Sequence, residues 1–330
     1  MKQRLVLVLS LLLLNTCPCG AKQAAGGYLG LEYFGSSQLS KLEMEKQLGL
    51  HPGASYQSGL KAIEHLQEKL AHQRIKANVD IANEGESYFV TVDVMDTGLP
   101  SVPVRNLRFP HHIALDSDVP FTILNDIMIR RESLATQGRP VTESFADGIK
   151  HFSDEPCEQY GAKLLRQVPA MRNQLLNVIS SDPDPTRRSK AIEVLNWDSD
   201  PVQACVDLIP AIDDASEQVR ASAARFLYPR IKMLPEDFPW PDLVEAFSHQ
   251  LARPSHIDRL LALRCLVVLA KTNGTALHAI KVFDEDRLQE IEHTSVVPAV
   301  KQPAQQLLAL TAKVQKESKA RSEPAELKEF

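Results

Sequence analysis

The sequence predicts an α+β domain near the N-terminus followed by an all-α solenoid, and two observations carry that reading. Residues 27–96 change periodicity in the order strand, helix, helix, strand, strand. Residues 161–312 repeat a helical unit whose two clearest copies align without a gap. The 330 residues are 44% hydrophobic and 24% charged, enough apolar material for folded domains and too much for a disordered chain.

Residues 1–21 read as a signal peptide: a basic start at Lys2 and Arg4, an apolar run from Leu5 to Leu14, and small residues up to a cut after Ala21. The run is too short to cross a hydrocarbon core of about 30 Å, and no later segment is long and apolar enough. The expectation is an exported chain without a transmembrane segment, in the periplasm, at the outer membrane or secreted. Cys17 offers an alternative in which a lipid anchors the chain, though Asn15 and Thr16 fit that pattern poorly. Formal net charge is -5 and Lys2 and Arg4 leave with the leader, which disfavours nucleic acid and anionic membrane as bulk partners.

Within 27–96, Tyr28 to Phe34 is a short apolar strand closed by Gly35-Ser-Ser37. Leu39, Leu42, Met44 and Leu48 follow at near-helical spacing, with Gly49 as the stop signal. After a turn at Pro52-Gly53, Leu60, Ile63, Leu66 and Leu70 form one stripe of a longer helix. Asn78 to Ile81 and Tyr88 to Val94 alternate on either side of Asn83-Glu-Gly-Glu86, a hairpin. This ordered set resembles the POTRA family of small periplasmic modules. The resemblance implies β-α-α-β-β topology and an open sheet edge that accepts an extended chain, placed here at Asn78, Val79, Asp80 and Ile81. Asn78 and Asp80 also suit an edge guarded against pairing. Family members usually lead into a barrel or a membrane span, which this chain lacks.

Residues 97–160 read as a connector punctuated by Pro100, Pro103, Pro110 and Pro120. A strand is expected over Val104 to Phe109 and short helices over Phe121 to Thr136 and Val141 to Phe152. His111, His112, His151 and Cys157 lack the paired spacing of a zinc site and read as surface histidines beside a lone thiol. Cys157, Cys205 and Cys265 survive processing; Cys205 and Cys265 read as small helix-packing residues, with a Cys157 to Cys205 bridge left open.

In the second half, Asp182 to Leu195 aligns without a gap on Asp214 to Leu227, so that Arg188 meets Arg220. Upstream, Gln174 to Ile179 aligns on Asp207 to Ile212. A third, looser copy puts Ala262 at the arginine position and Cys265 at the small-residue position, and a fourth unit covers about Thr275 to Ala312. These units resemble HEAT repeats, which implies paired antiparallel helices stacked as a solenoid that holds a protein partner. Asp182, Asp184 and Asp214 are expected at the repeat turns, with Arg188 and Arg220 forming ladders to nearby aspartates. Residues 313–330 are charged and read as a frayed helix or disordered tail.

No nucleophile elbow, phosphate loop or metal-binding helix motif occurs. The expectation is a non-enzymatic binding scaffold of the cell envelope with no cofactor and no metal, holding a protein partner. The alternatives are a lipid-anchored accessory of an outer-membrane machine, or an enzyme with its site between His111 and Cys157.

Overall fold

The computed structural model describes residues 26–35, 39–95 and 102–322, with side chains through residue 313. The leader, its cut site and Cys17 lie outside the described residues. A small mixed sheet with two helices comes first, and the rest is mostly helical.

β1 (Tyr28–Phe34), α1 (Lys41–Leu48), α2 (Tyr56–His72), β2 (Ala77–Glu84) and β3 (Ser87–Val94) follow the expected order. α1 opens on a capping box between Ser40 and Glu43 and ends where Gly49, at φ +66°, takes the left-handed conformation. The sheet order is β1-β3-β2, with β1 parallel and β2 antiparallel to β3, so β2 is an edge strand. One sheet face packs Leu31, Val79, Tyr88, Val90 and Val92 against Met44, Leu48, Ile63, Leu66 and Leu70. Alternation along β3 would leave the other face wet, yet Thr91 and Asp93 are buried as well. That face lies against the helical region.

The connector departs from the expected elements. Residues 102–117 form no ladder; the sole bridge is between Arg105 and Asp214. Pro103 and Pro110 bracket Val104 to Phe109 without an N–H to extend a ladder, and Phe109 at φ +45° breaks the extended conformation within it. α3 (Val119–Thr136) forms as expected. The helix expected over Val141 to Phe152 is instead a hairpin of β4 (Glu143–Ala146) and β5 (Ile149–Phe152). Val141, Phe145, Ile149 and Phe152 mimic a helical stripe, but Asp147 and Gly148 take φ of +50° and +77° and turn the chain back. A Cβ on Gly148 would lie 2.8 Å from the Pro201 side chain, so the tip is also tightly seated.

α4 (Glu155–Ser181) begins at the Asp154 cap and runs through the expected boundary at 160/161. α5 (Pro185–Val194), α6 (Pro201–Leu208), α7 (Glu217–Leu227), α8 (Trp240–Ala252), α9 (His256–Thr272), α10 (Gly274–Thr294) and α11 (Pro298–Ser322) complete the chain. α5, α7, α9 and α11 touch in succession, and α8 packs on both α9 and α10. One core runs through these helices to Leu307 and takes in Phe89 of β3. α11 continues past Lys313 to Ser322, so the helix extends into the expected tail.

Candidate functional site

The turns that precede α5, α7 and α9 lie side by side and are tied by guanidinium groups. Asp182 caps the end of α4, accepting the Asp184 N–H at 3.0 Å and Arg187 Nε at 3.0 Å. Asp184, exposed, caps α5 by accepting the Thr186 N–H. Arg188 donates to the Asp182 carbonyl six residues earlier, and its fork meets Asp214 at 3.1 and 2.7 Å. Arg220 repeats this one turn further: it donates to the Asp214 carbonyl and holds Asp258 at 2.9 and 2.5 Å. Arg259 donates to the Arg253 carbonyl in the same way. The arginine position of the third copy is therefore Arg259, and Ala262 and Cys265 lie further along α9. Aligning from the Ser255 cap, rather than from the apolar residues, would have found it.

Asp214 and Asp258 are fully buried. Burial alone would raise the Asp214 carboxyl; the Arg188 fork, the Ser216 N–H and Arg105 outweigh it and hold its pKa below the usual value. For Asp258 burial prevails over Arg220, and its pKa is raised.

The connector crosses the same turns as a strap. Arg105 donates its N–H to the Asp213 carbonyl and its guanidinium to Asp214 at 2.6 Å and to the Ile179 carbonyl at 2.7 Å. The N–H groups of Arg108 and His111 reach Ser180 and Ser181, and that of Ile113 reaches Asp182. Between them Phe109 is 88% exposed at φ +45°.

The third ladder arginine leaves the helices altogether and meets the sheet. Arg259 Nη2 lies 2.6 Å from Asp93 Oδ1, while Asp93 Oδ2 accepts the His256 N–H at the start of α9. Glu32, 5% exposed, accepts from Ser295 Oγ and the Val296 N–H, both at 2.8 Å, between α10 and α11. Two buried carboxylates thus latch the second sheet face onto two helix–helix junctions. Glu32 and Asp93 read in the sequence as ordinary alternating polar residues, and nothing local marked them as partners of residues far along the chain.

This docking creates a groove of about 620 Å³ between the β2 edge and the turns before α7 and α9. Asn78, Val79, Asp80 and Ile81 form one wall; Glu217, Arg220, Arg253 and His256 line the other. The Lys76 carbonyl faces β3 by accepting the Met95 N–H, so odd-numbered residues of β2 turn outward. The Val79 carbonyl is taken by Gln67 at 3.0 Å, and the Ile81 N–H by the Asp80 side chain at 2.7 Å. The edge is partly guarded, and the parity leaves the Val79 N–H and the Ile81 carbonyl turned outward.

The Asp80 side chain is exposed, yet partial desolvation, with the charge of Asp93, raises its pKa against the opposing hydrogen bond from the Ile81 N–H. Glu217 is likewise raised by desolvation, with Asp258 and Asp93 adding to it and the Ser255 hydrogen bond and the charge of Arg220 opposing. Burial, with Arg259 and Arg264, pushes His256 down to about 3, so the ring is neutral at pH 7.

Cys157, Cys205 and Cys265 are buried free thiols, so the Cys157 to Cys205 bridge is not formed. Burial pushes Cys157 up to about 11 and Cys205 to about 12, far from thiolate chemistry. The connector histidines each engage a different group: His111 the Phe109 carbonyl, His112 Asp182 at 3.5 Å, and His151 Glu158 at 2.8 Å. Among the described residues, no group of His, Cys, Asp or Glu is arranged to hold a metal ion, and no helix is long and apolar enough to cross a membrane. No family model, curated protein or solved structure matches the chain.

Proposed function

We propose that this chain is an exported, non-enzymatic protein-binding scaffold of the bacterial cell envelope, and that its recognition element is the groove at the β2 edge. The observation that carries this reading is the groove itself: strand-edge groups and charged residues of the turns line one opening. An extended segment suits it, because main-chain groups can add to the outward Val79 N–H and Ile81 carbonyl while side chains meet the turns. The strap at residues 102–117 supports the idea, since the neighbouring turns already accept main-chain N–H groups from another segment of the chain.

On this reading the sheet domain is POTRA-like and α4 to α11 are HEAT-like units in a solenoid. The arginine geometry of Arg188, Arg220 and Arg259, repeated across successive turns, supports that assignment. The test is affinity capture from native envelope with the intact chain and with Ala215→Trp, which fills the groove from an exposed position. A protein retained by the intact chain and lost by the variant is expected; identical retention by both sinks the groove as the recognition element. N-terminal sequencing of the exported chain checks the cut after Ala21.

A further inference from the structure

We propose that Phe109 is a preformed anchor for a protein partner, its ring entering an apolar cup on that partner whose rim is acidic. Phe109 does not line the groove, so this second point of recognition stands or falls apart from it.

Phe109 differs from the other exposed apolar side chains of the described residues. It is 88% exposed, where the next, Ile129, is 66%. Single exposed apolar residues are common and carry no meaning by themselves. The backbone gives this one its weight. Phe109 sits at φ +45°, a region that bulky side chains avoid, and it precedes Pro110, which narrows its choices further. Such strain persists only where the surroundings hold it, and its cost must be offset elsewhere. The ring faces water and offsets none of it within the fold.

The strap is fastened on both sides of this residue. Before it, Arg105 holds Asp214 at 2.6 Å and the Ile179 carbonyl at 2.7 Å, and the Arg108 N–H donates to the Ser180 carbonyl at 3.0 Å. After it, the His111 N–H reaches the Ser181 carbonyl at 3.2 Å, and the Ile113 carbonyl accepts from Arg187 at 2.7 Å. His111 Nδ1 donates to the Phe109 carbonyl itself at 2.6 Å. The ring is therefore presented on backbone ordered before any partner arrives, which removes part of the entropy cost of binding. Buried aromatic rings are frequent centres of such interfaces.

The charge beside the ring indicates which surface suits it. Residues 102–115 contain Arg105, Arg108, His111 and His112 and no Asp or Glu. Arg108, His111 and His112 are exposed, and Arg108 has no ion-pair partner among the described residues. A cation beside an apolar anchor favours an acidic rim and opposes a basic one. An anionic membrane would also supply charge, but one ring offers little area to insert, and the net charge of -5 opposes the approach.

The test places photoreactive p-benzoylphenylalanine at position 109 of the full chain, with and without Arg108→Glu, and irradiates the native envelope. Mass spectrometry then identifies the cross-linked peptide. One protein is expected, joined through an apolar segment bordered by Asp or Glu, with a yield that falls roughly tenfold or more in Arg108→Glu. That protein, purified, should bind Phe109→Gly roughly tenfold or more weakly than the parent chain, while the variant melts no lower. Cross-linking to lipid, to a second copy of this chain or to many proteins, or no cross-linking, overturns the anchor. So does equal binding by Phe109→Gly, or a lower melting temperature, which would give the ring to the fold. An unchanged yield in Arg108→Glu overturns the acidic rim.

Discussion

The ridge of turns before α5, α7 and α9 and the interface between α8 and α10 both bury carboxylates, and they handle them in opposite ways. On the ridge, Asp214 is fully buried and meets two guanidinium groups, so its pKa is lowered despite its burial. Between α8 and α10, Asp284 is 2% exposed and meets only Ser248, and burial pushes it up to about 7 against the weaker pull of Ser248, His249 and Arg287. Ser248 Oγ lies 2.9 Å from the Val244 carbonyl and 2.8 Å from Asp284 Oδ2. A hydroxyl has one proton; when it goes to Val244, a protonated Asp284 supplies the second hydrogen bond. The difference teaches that two guanidinium groups keep Asp214 charged in spite of its burial, whereas a hydroxyl alone leaves Asp284 driven towards its neutral form.

The most damaging way to break the comparison is Arg220→Ala, which strands Asp258 without its guanidinium. Loss of one partner from a buried pair costs about 3–5 kcal/mol, so thermal unfolding should shift by many degrees. A loss below about 1 kcal/mol would mean the ridge is not held by charge. Asp93→Asn keeps the shape of the latch and removes its charge, leaving Arg259 buried and uncompensated; a loss of about 2–3 kcal/mol is expected in denaturant unfolding. Exchange protection should fall on β3 and at the start of α9 together, and a loss confined to the sheet would show that the latch does not couple the two.

Asp284→Asn sharpens the other half. The folded pKa lies above the unfolded one, so the wild-type group takes stability away progressively as pH rises from about 4 to about 7. The slope is roughly 1.4 kcal/mol per pH unit at most, and it flattens above pH 7. The variant should lack this slope and be the more stable protein at pH 8; parallel melting curves across that range would refute a protonated Asp284. The smallest effect concerns the strap. Phe109→Gly relieves a bulky residue at φ +45° while removing only exposed surface, so stability should stay level or rise by up to about 1 kcal/mol. A fall of that size would mean the ring packs on something in solution.

Much of the local architecture was legible because it follows from short-range periodicity and punctuation. The β-α-α-β-β order and the Gly49 stop depend on residues within a few positions of one another. The hairpin over 143–152 was also legible in principle, through Asp147-Gly148, but an accidental apolar stripe pointed to a helix. Arg259 was hidden for a different reason: the third copy is offset, and an alignment on apolar residues shifted the ladder. Of the groove, only the β2 wall was legible, through the resemblance that implied an open sheet edge at Asn78 to Ile81.

By itself the sequence determined which segments become strands and helices, and that the turns before α5 and α7 carry an aspartate with an arginine six residues on. Only the tertiary structure decided that the ladder ends on the sheet, that β3 is buried on both faces, and that Asp80 and Glu217 share one opening. Those outcomes join residues separated by well over a hundred positions, such as Asp93 with Arg259 and Glu32 with Ser295. A carboxylate on an alternating strand has the same local signature whether it ends in water or against a helix. What separates the two outcomes is the desolvation and pairing it meets after docking.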